Sequence, residues 1–197
     1  YVNMEYFYEI IGTQLLAAMR YEDAIYYLSQ VSDEFMQTTN VSLYYRTEPK
    51  DYKLNFAQKM SALEQNIRRL KNPDDRAECM LAYAKELQNS IGSNWYLTRY
   101  YSGHWYAYPF YSQYQTDLYD NAVKKFEYIK RKAFKTFTDA ERAAKACYDW
   151  SLYKTAATKY PHTKTAEYIR GHCDILADYK DAPNKELYKE FKRKEGW

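Results

Sequence analysis

Three histidines and three cysteines are the side chains best suited to hold a metal or act as nucleophiles, and their spacing argues against both roles. His162, His172 and Cys173 come nearest to a cluster. His172 and Cys173 are adjacent, and adjacent residues on a helix point about 100° apart, so they do not readily share one ion. The chain has no HExxH and no Glu-x-x-His pair, the patterns of zinc hydrolases and di-iron bundles. No serine stands in a GxSxG elbow. Cys79, Cys147 and Cys173 are odd in number and far apart, which makes neither a disulfide framework nor a CxxC metal pair. Cys147 and Cys173 fall on apolar stripes, where an inert buried thiol is the expectation. The five glycines are isolated, so no glycine-rich loop can cradle a phosphate. The carboxylate pairs Glu22-Asp23 and Asp74-Asp75 fall in the first turns of predicted helices, where negative charge meets the positive helix end. The chain therefore reads as non-enzymatic, with no catalytic residue, no metal and no cofactor.

Aromatic side chains offer a different chemistry. Tyrosine alone accounts for 25 of 197 residues. It joins a large apolar body to a polar tip, so it can fill helix seams with its hydroxyl in water, or stack on a ligand. Ten aromatics crowd into 95–114, with Arg99 as the only formal charge. Rings with polar tips recur at binding hot spots. Trp95, Tyr101, Trp105, Tyr106, Tyr108 and Tyr111 are the candidate ligand- or partner-binding residues. Of these, Trp105, Tyr106 and Tyr108 lie between Gly103 and Pro109, where a helix is least expected. A glycan or small ligand stacked on 95–114 is the alternative to a protein or peptide partner.

Charge narrows the partner. The net charge is only +3, and residues 1–50 hold 3 basic against 7 acidic side chains. That is no basic stripe for nucleic acid. The basic run Lys124, Lys125, Lys130, Arg131, Lys132 and Lys135 falls opposite an apolar stripe, as a solvated outer face does; contact with an acidic partner is the alternative. No stretch nears the roughly 18 apolar residues of a transmembrane helix. The chain opens on Tyr1 and shows no basic stretch followed by an apolar run, so it reads as a mature or trimmed fragment without a visible signal peptide.

The elements that would position these residues are helices. Only five Gly and five Pro punctuate the chain, and apolar residues recur at helical spacing. Met4, Tyr8, Ile11, Leu15 and Met19 make one stripe; Tyr21, Ala24, Leu28, Val31 and Phe35 make the next, after a tight turn at Arg20. So short a link predicts an antiparallel hairpin over 4–35. Residues 36–50 are looser, with a short extended piece around Val41, Leu43 and Tyr45. Helices follow at about 51–71 and, opened by Asn72-Pro73, at about 73–91, with Gly92 as its stop. An irregular aromatic-rich insertion spans 93–116. C-terminal helices occupy 117–193: one at about 117–136, one from the capping box Thr138-Asp139-Ala140-Glu141 to about Tyr160, one at about 163–178, and a short last one after Pro183. All five prolines fall at boundaries or in the insertion. The whole is read as a single all-α domain over 1–197.

The first hairpin resembles a tetratricopeptide repeat. That family alternates large, apolar and small residues, and Tyr8, Ile11, Gly12 and Leu15, then Ala24, Leu28 and Val31, stand in its order and spacing. Small residues at 12 and 24 let two helix backbones approach closely. Met36 departs from the family's usual proline. A weaker echo at 150–173 sets Trp150 and Tyr153 as large residues and Ala166 and Cys173 as seam residues, with Lys154 where a small one belongs and Arg170 where an apolar one belongs. Lys159-Tyr160-Pro161-His162-Thr163 resembles links in tetratricopeptide-like proteins of bacterial envelopes. The resemblance implies helix pairs stacked into an α-α superhelix, a protein or peptide partner, and a bacterial periplasmic or cell-surface address.

Overall fold

The structure, a computed structural model, describes residues 3–35, 52–93 and 113–172. Every regular element among them is an α-helix. They are α1 (Met4–Ala17), α2 (Tyr21–Leu28), α3 (Tyr52–Arg69), α4 (Pro73–Ser93), α5 (Gln113–Thr136), α6 (Ala140–Asp149), α7 (Tyr153–Lys159) and α8 (Lys164–His172). The chain divides into two compact units, Tyr1–Lys71 with Asp75–Ala133 and Asn72–Asp74 with Phe134–Trp197. The 36–50 stretch and the helix after Pro183 lie outside the described residues, as does most of the insertion.

In the first unit α1 pairs with α2, and both touch α3. The buried face of α1 is Glu9, Gly12, Thr13, Leu16 and Ala17. This corrects the expected stripe by one position, or about 100° of helix. Ile11 is 39% exposed and Met4 54% exposed, while Tyr8 and Leu15 are half-buried. Small residues turn inward because α2 comes close. A Cβ built at Gly12 would lie 2.6 Å from Leu28 Cγ and 3.3 Å from the Leu28 nitrogen. Gly12, Ala24 and Leu28 are all buried there. Val31 is only half-buried, because α2 stops at Leu28 and a new helical turn starts at 33–35.

A polar cluster completes the inward face. The Lys53 ammonium on α3 is ion-paired with Glu9 and donates to Thr13 Oγ1 at 3.1 Å. Both charged side chains are nearly sealed, at 6% and 0% exposure. The Tyr21 and Tyr83 hydroxyls lie 3.2 Å apart, and Tyr83 donates to Glu64 at 3.2 Å. Burial pushes the Tyr83 phenol far above its ordinary range, so it stays a neutral donor.

The turn joining α1 to α2 is a Schellman motif. Arg20 N–H bonds the Leu15 carbonyl at 2.9 Å, Met19 N–H bonds Leu16 at 2.9 Å, and Met19 has φ 57°. The same turn recurs in the second unit between α6 and α7. There Leu152 N–H bonds Cys147 at 2.8 Å, Ser151 N–H bonds Tyr148 at 2.9 Å, and Ser151 has φ 55°. The single helix expected from about 139 to 160 is thus two helices. No glycine marks the break, because serine holds the left-handed position. An L-residue there costs on the order of 1 kcal/mol. Ser151 is exposed, so Ser151→Gly should raise the unfolding free energy by about 1 kcal/mol, read from urea titration.

The second unit packs α6, α7 and α8 against one another. Cys147, Ala156 and Ile169 form its core, with Phe134, Leu152 and Tyr160 packed on it. Carboxylates tie the helix starts together. Asp74 accepts from the Thr138 and Asp139 amides at 2.7 and 2.9 Å and from the Thr138 hydroxyl at 2.6 Å. Asp139, not Thr138, caps α6, accepting from Arg142 N–H at 2.8 Å. Glu141 does not close a capping box either. It reaches the start of α8, accepting from the amides of Lys164 and Thr165 at 2.7 and 2.9 Å. In the first unit Glu5 likewise accepts from the Ser32 amide at 2.7 Å, just before the turn at 33–35. Glu5 and Glu141 occupy the same second position of α1 and α6.

Hydrogen bonds from Ser32 to Glu5, Thr138 to Asp74 and Thr165 to Glu141 hold all three carboxyls below their ordinary values. A depressed folded pKa gives stability that is complete above the ordinary carboxylate range and is lost as pH falls through the folded value. The melting temperature should drop as pH falls below about 4. Asp74→Asn and Glu141→Gln should lower it at neutral pH and flatten that acid limb, as circular dichroism melts would register.

Candidate functional site

The candidate contacts Trp95, Tyr101, Trp105, Tyr106, Tyr108 and Tyr111 all lie outside the described residues. What is described brings other rings to the surface. On the second unit, Tyr148 from α6, Tyr153 from α7 and Tyr168 from α8 meet. Ring centroids are 5.4 Å apart for Tyr148 and Tyr153, tilted by 58°, and 6.0 Å apart for Tyr148 and Tyr168, at 79°. His172, one turn after Tyr168, stacks on it at 4.1 Å and 23°, with Nδ1 2.9 Å from the Tyr168 carbonyl.

The local fold explains why these rings face outward. Residues 143, 144, 146 and 147 fill the inner face of α6 with alanine and the Cys147 thiol, which puts Tyr148 on the rim. Ala156 and Ala157 do the same on α7, leaving Tyr153 out, and Ala166 and Ile169 on α8 leave Tyr168 52% exposed. Among the described residues, a Cβ at Gly171 would meet nothing within 4 Å. The Tyr168 phenol, with burial and Tyr153 adding, holds the Tyr148 phenol above its ordinary range. The Tyr148 hydroxyl is therefore a neutral donor at physiological pH. Sequence reasoning missed this cluster because its members come from three helices. The detectable part was Tyr168 and His172 at helical spacing, of which only His172 enters the sequence reading, as a metal ligand.

A smaller ring group lies on the first unit. Tyr6 and Phe7 meet edge to face at 5.8 Å, and Tyr26 and Tyr27 at 5.1 Å. On α5 the basic residues are exposed at Lys124, Arg131, Lys132 and Lys135. Lys132 sits 5.6 Å over the Tyr128 ring, and Lys125 lies 4.0 Å from Glu64. This is the solvated outer face the spacing predicts.

Of the three thiols, Cys79 and Cys147 are placed for packing, and Cys173 lies outside the described residues. Cys147 is buried, and burial raises its pKa; Cys79 points its thiol at the Leu63 carbonyl at 3.7 Å, and burial raises its pKa too. A raised pKa means little thiolate and low nucleophilicity. Among the described residues no group of three His, Cys, Asp or Glu side chains is placed to hold a metal. Among them, too, no helix is long and apolar enough to cross a membrane. Comparison with known proteins finds no matching family model, no matching curated protein and no matching solved structure.

Proposed function

We propose that this chain is a tetratricopeptide-like helical-repeat domain of a bacterial cell-envelope protein, and that it binds a protein or peptide partner without catalysing a reaction. The observation that supports this is the recurrence of one arrangement. Counted from the left-handed residue of the turn, Ala144 and Ala156 stand where Gly12 and Ala24 stand, and all four are buried. In both places a glutamate at the second position of the first helix accepts from the amide that opens the helical segment following the second, the turn at 33–35 in one and α8 in the other. A module built twice with the same turn, the same small seam residues and the same helix-start clamp is what a degenerate repeat protein requires. Such modules serve by presenting side chains on a fixed helical frame, and exposed tyrosines are the residues of choice for that.

The reading is tested by passing a bacterial envelope extract over the immobilised chain. Saturable retention that survives periodate oxidation of the extract and is lost after protease treatment is the expected result. Retention lost on periodate oxidation, or none at all, would overturn it in favour of a glycan ligand or a purely structural segment.

A further inference from the structure

We propose that the tyrosine cluster of the second unit, Tyr148, Tyr153 and Tyr168 with His172, is the docking surface for an extended acidic peptide of a partner protein. This rests on the reading of the chain as a peptide-binding domain and names the site within it.

Charge selects the acidic partner. Residues 140–172 carry six Lys and Arg against three carboxylates. Of the three, Glu141 is committed to the start of α8, and Asp149 and Glu167 are exposed beside Tyr148 and Tyr168, so the excess is one of number. Lys145 stands one turn before Tyr148 and Lys164 one turn before Tyr168, and both are exposed. Residues three or four apart share a helix face, so each outer ring has an ammonium on its own side. Lys154 follows Tyr153 directly and is exposed as well.

Ring geometry selects the extended backbone. A sugar needs a flat ring presented face-on, whereas Tyr148 meets its neighbours at 58° and 79°. Proline-rich segments dock on surfaces lined with aromatic rings. An extended or polyproline II backbone has no internal hydrogen bonds, so its carbonyls are open to phenol donors. A helical partner brings its backbone already paired and would leave those hydroxyls unused.

The test uses the full chain and a fluorescein-labelled peptide of six Glu-Pro repeats, followed by anisotropy. Saturable binding that weakens with salt is expected, with a matched Lys-Pro peptide failing to bind. Tyr168→Ala should weaken binding about tenfold, as central aromatic contacts do. Lys145→Glu with Lys164→Glu, which keeps every ring, should weaken it by at least as much. Tyr128→Ala, an exposed tyrosine on α5, should leave it unchanged, and all variants should melt as the parent does.

No binding, equal binding of the Lys-Pro peptide, or binding indifferent to Tyr168→Ala would overturn the assignment. A heparin hexasaccharide bound at least as tightly as the peptide would overturn it in favour of an anionic glycan. If the envelope extract still yields a retained polypeptide that Tyr168→Ala does not release, the domain binds elsewhere and only this surface is refuted. If both experiments fail, the binding-domain reading falls with it.

Discussion

Lys53→Met is expected to destabilise the chain by about 3–5 kcal/mol, while Glu9→Leu combined with Lys53→Met recovers most of that loss. Glu9 and Lys53 are nearly sealed from water, and the ammonium also donates to Thr13 Oγ1 at 3.1 Å. Their mutual attraction offsets the large cost of taking two charges out of water. Removing the lysine alone leaves a carboxylate in an apolar seam between α1 and α3. Removing both charges with residues of similar size leaves ordinary packing, which is often neutral or better. Chemical unfolding of the single and double variants measures the difference. A Lys53→Met loss below about 1 kcal/mol, the range of surface pairs, would mean that the pair is solvated in solution.

Leu28→Ala is expected to cost about 2–5 kcal/mol and Gly12→Ala about 1–3 kcal/mol, with the double variant costing clearly less than their sum. Leu28 is fully buried against Gly12. Truncating it opens a cavity at the α1–α2 seam. Adding a methyl at Gly12 drives it to within 2.6 Å of Leu28 Cγ, and the Leu28 nitrogen at 3.3 Å can yield only by separating the helices. When both changes are made, the new methyl occupies part of the space the leucine left. Contacting residues couple in this way, and a double-mutant cycle by urea unfolding reads the coupling directly. Additive losses would show that the two side chains do not touch in the folded protein.

Helical periodicity made the all-α class legible, and Asn72-Pro73 located the start of α4 with the cap that forms, Asn72 accepting from Asp74 N–H at 2.8 Å. The close approach of α1 and α2 was legible too, because only a residue without a side chain permits it, and Gly12 is such a residue. These are local signals, carried by residues within a turn or two of each other.

What periodicity could not decide was which way α1 faces. The stripe through Met4 and Ile11 is the more hydrophobic one, yet a carboxylate faces inward because its partner arrives from Lys53, 44 residues away. The break at Ser151 was equally hidden, since the left-handed residue is not glycine and the hydrogen bonds that hold it are backbone to backbone. Glu141 satisfied a capping-box pattern within four residues, but the amides of α8 bind it instead. The tyrosine cluster exists only once three helices converge. Sequence by itself therefore determined the element type, most element boundaries and the tight seam of the first hairpin, all of which depend on backbone preference and short-range spacing. Tertiary structure alone decided which polar groups are buried, which carboxylate ties which helix and which rings share a surface, because each of those depends on a partner supplied from a distant part of the chain.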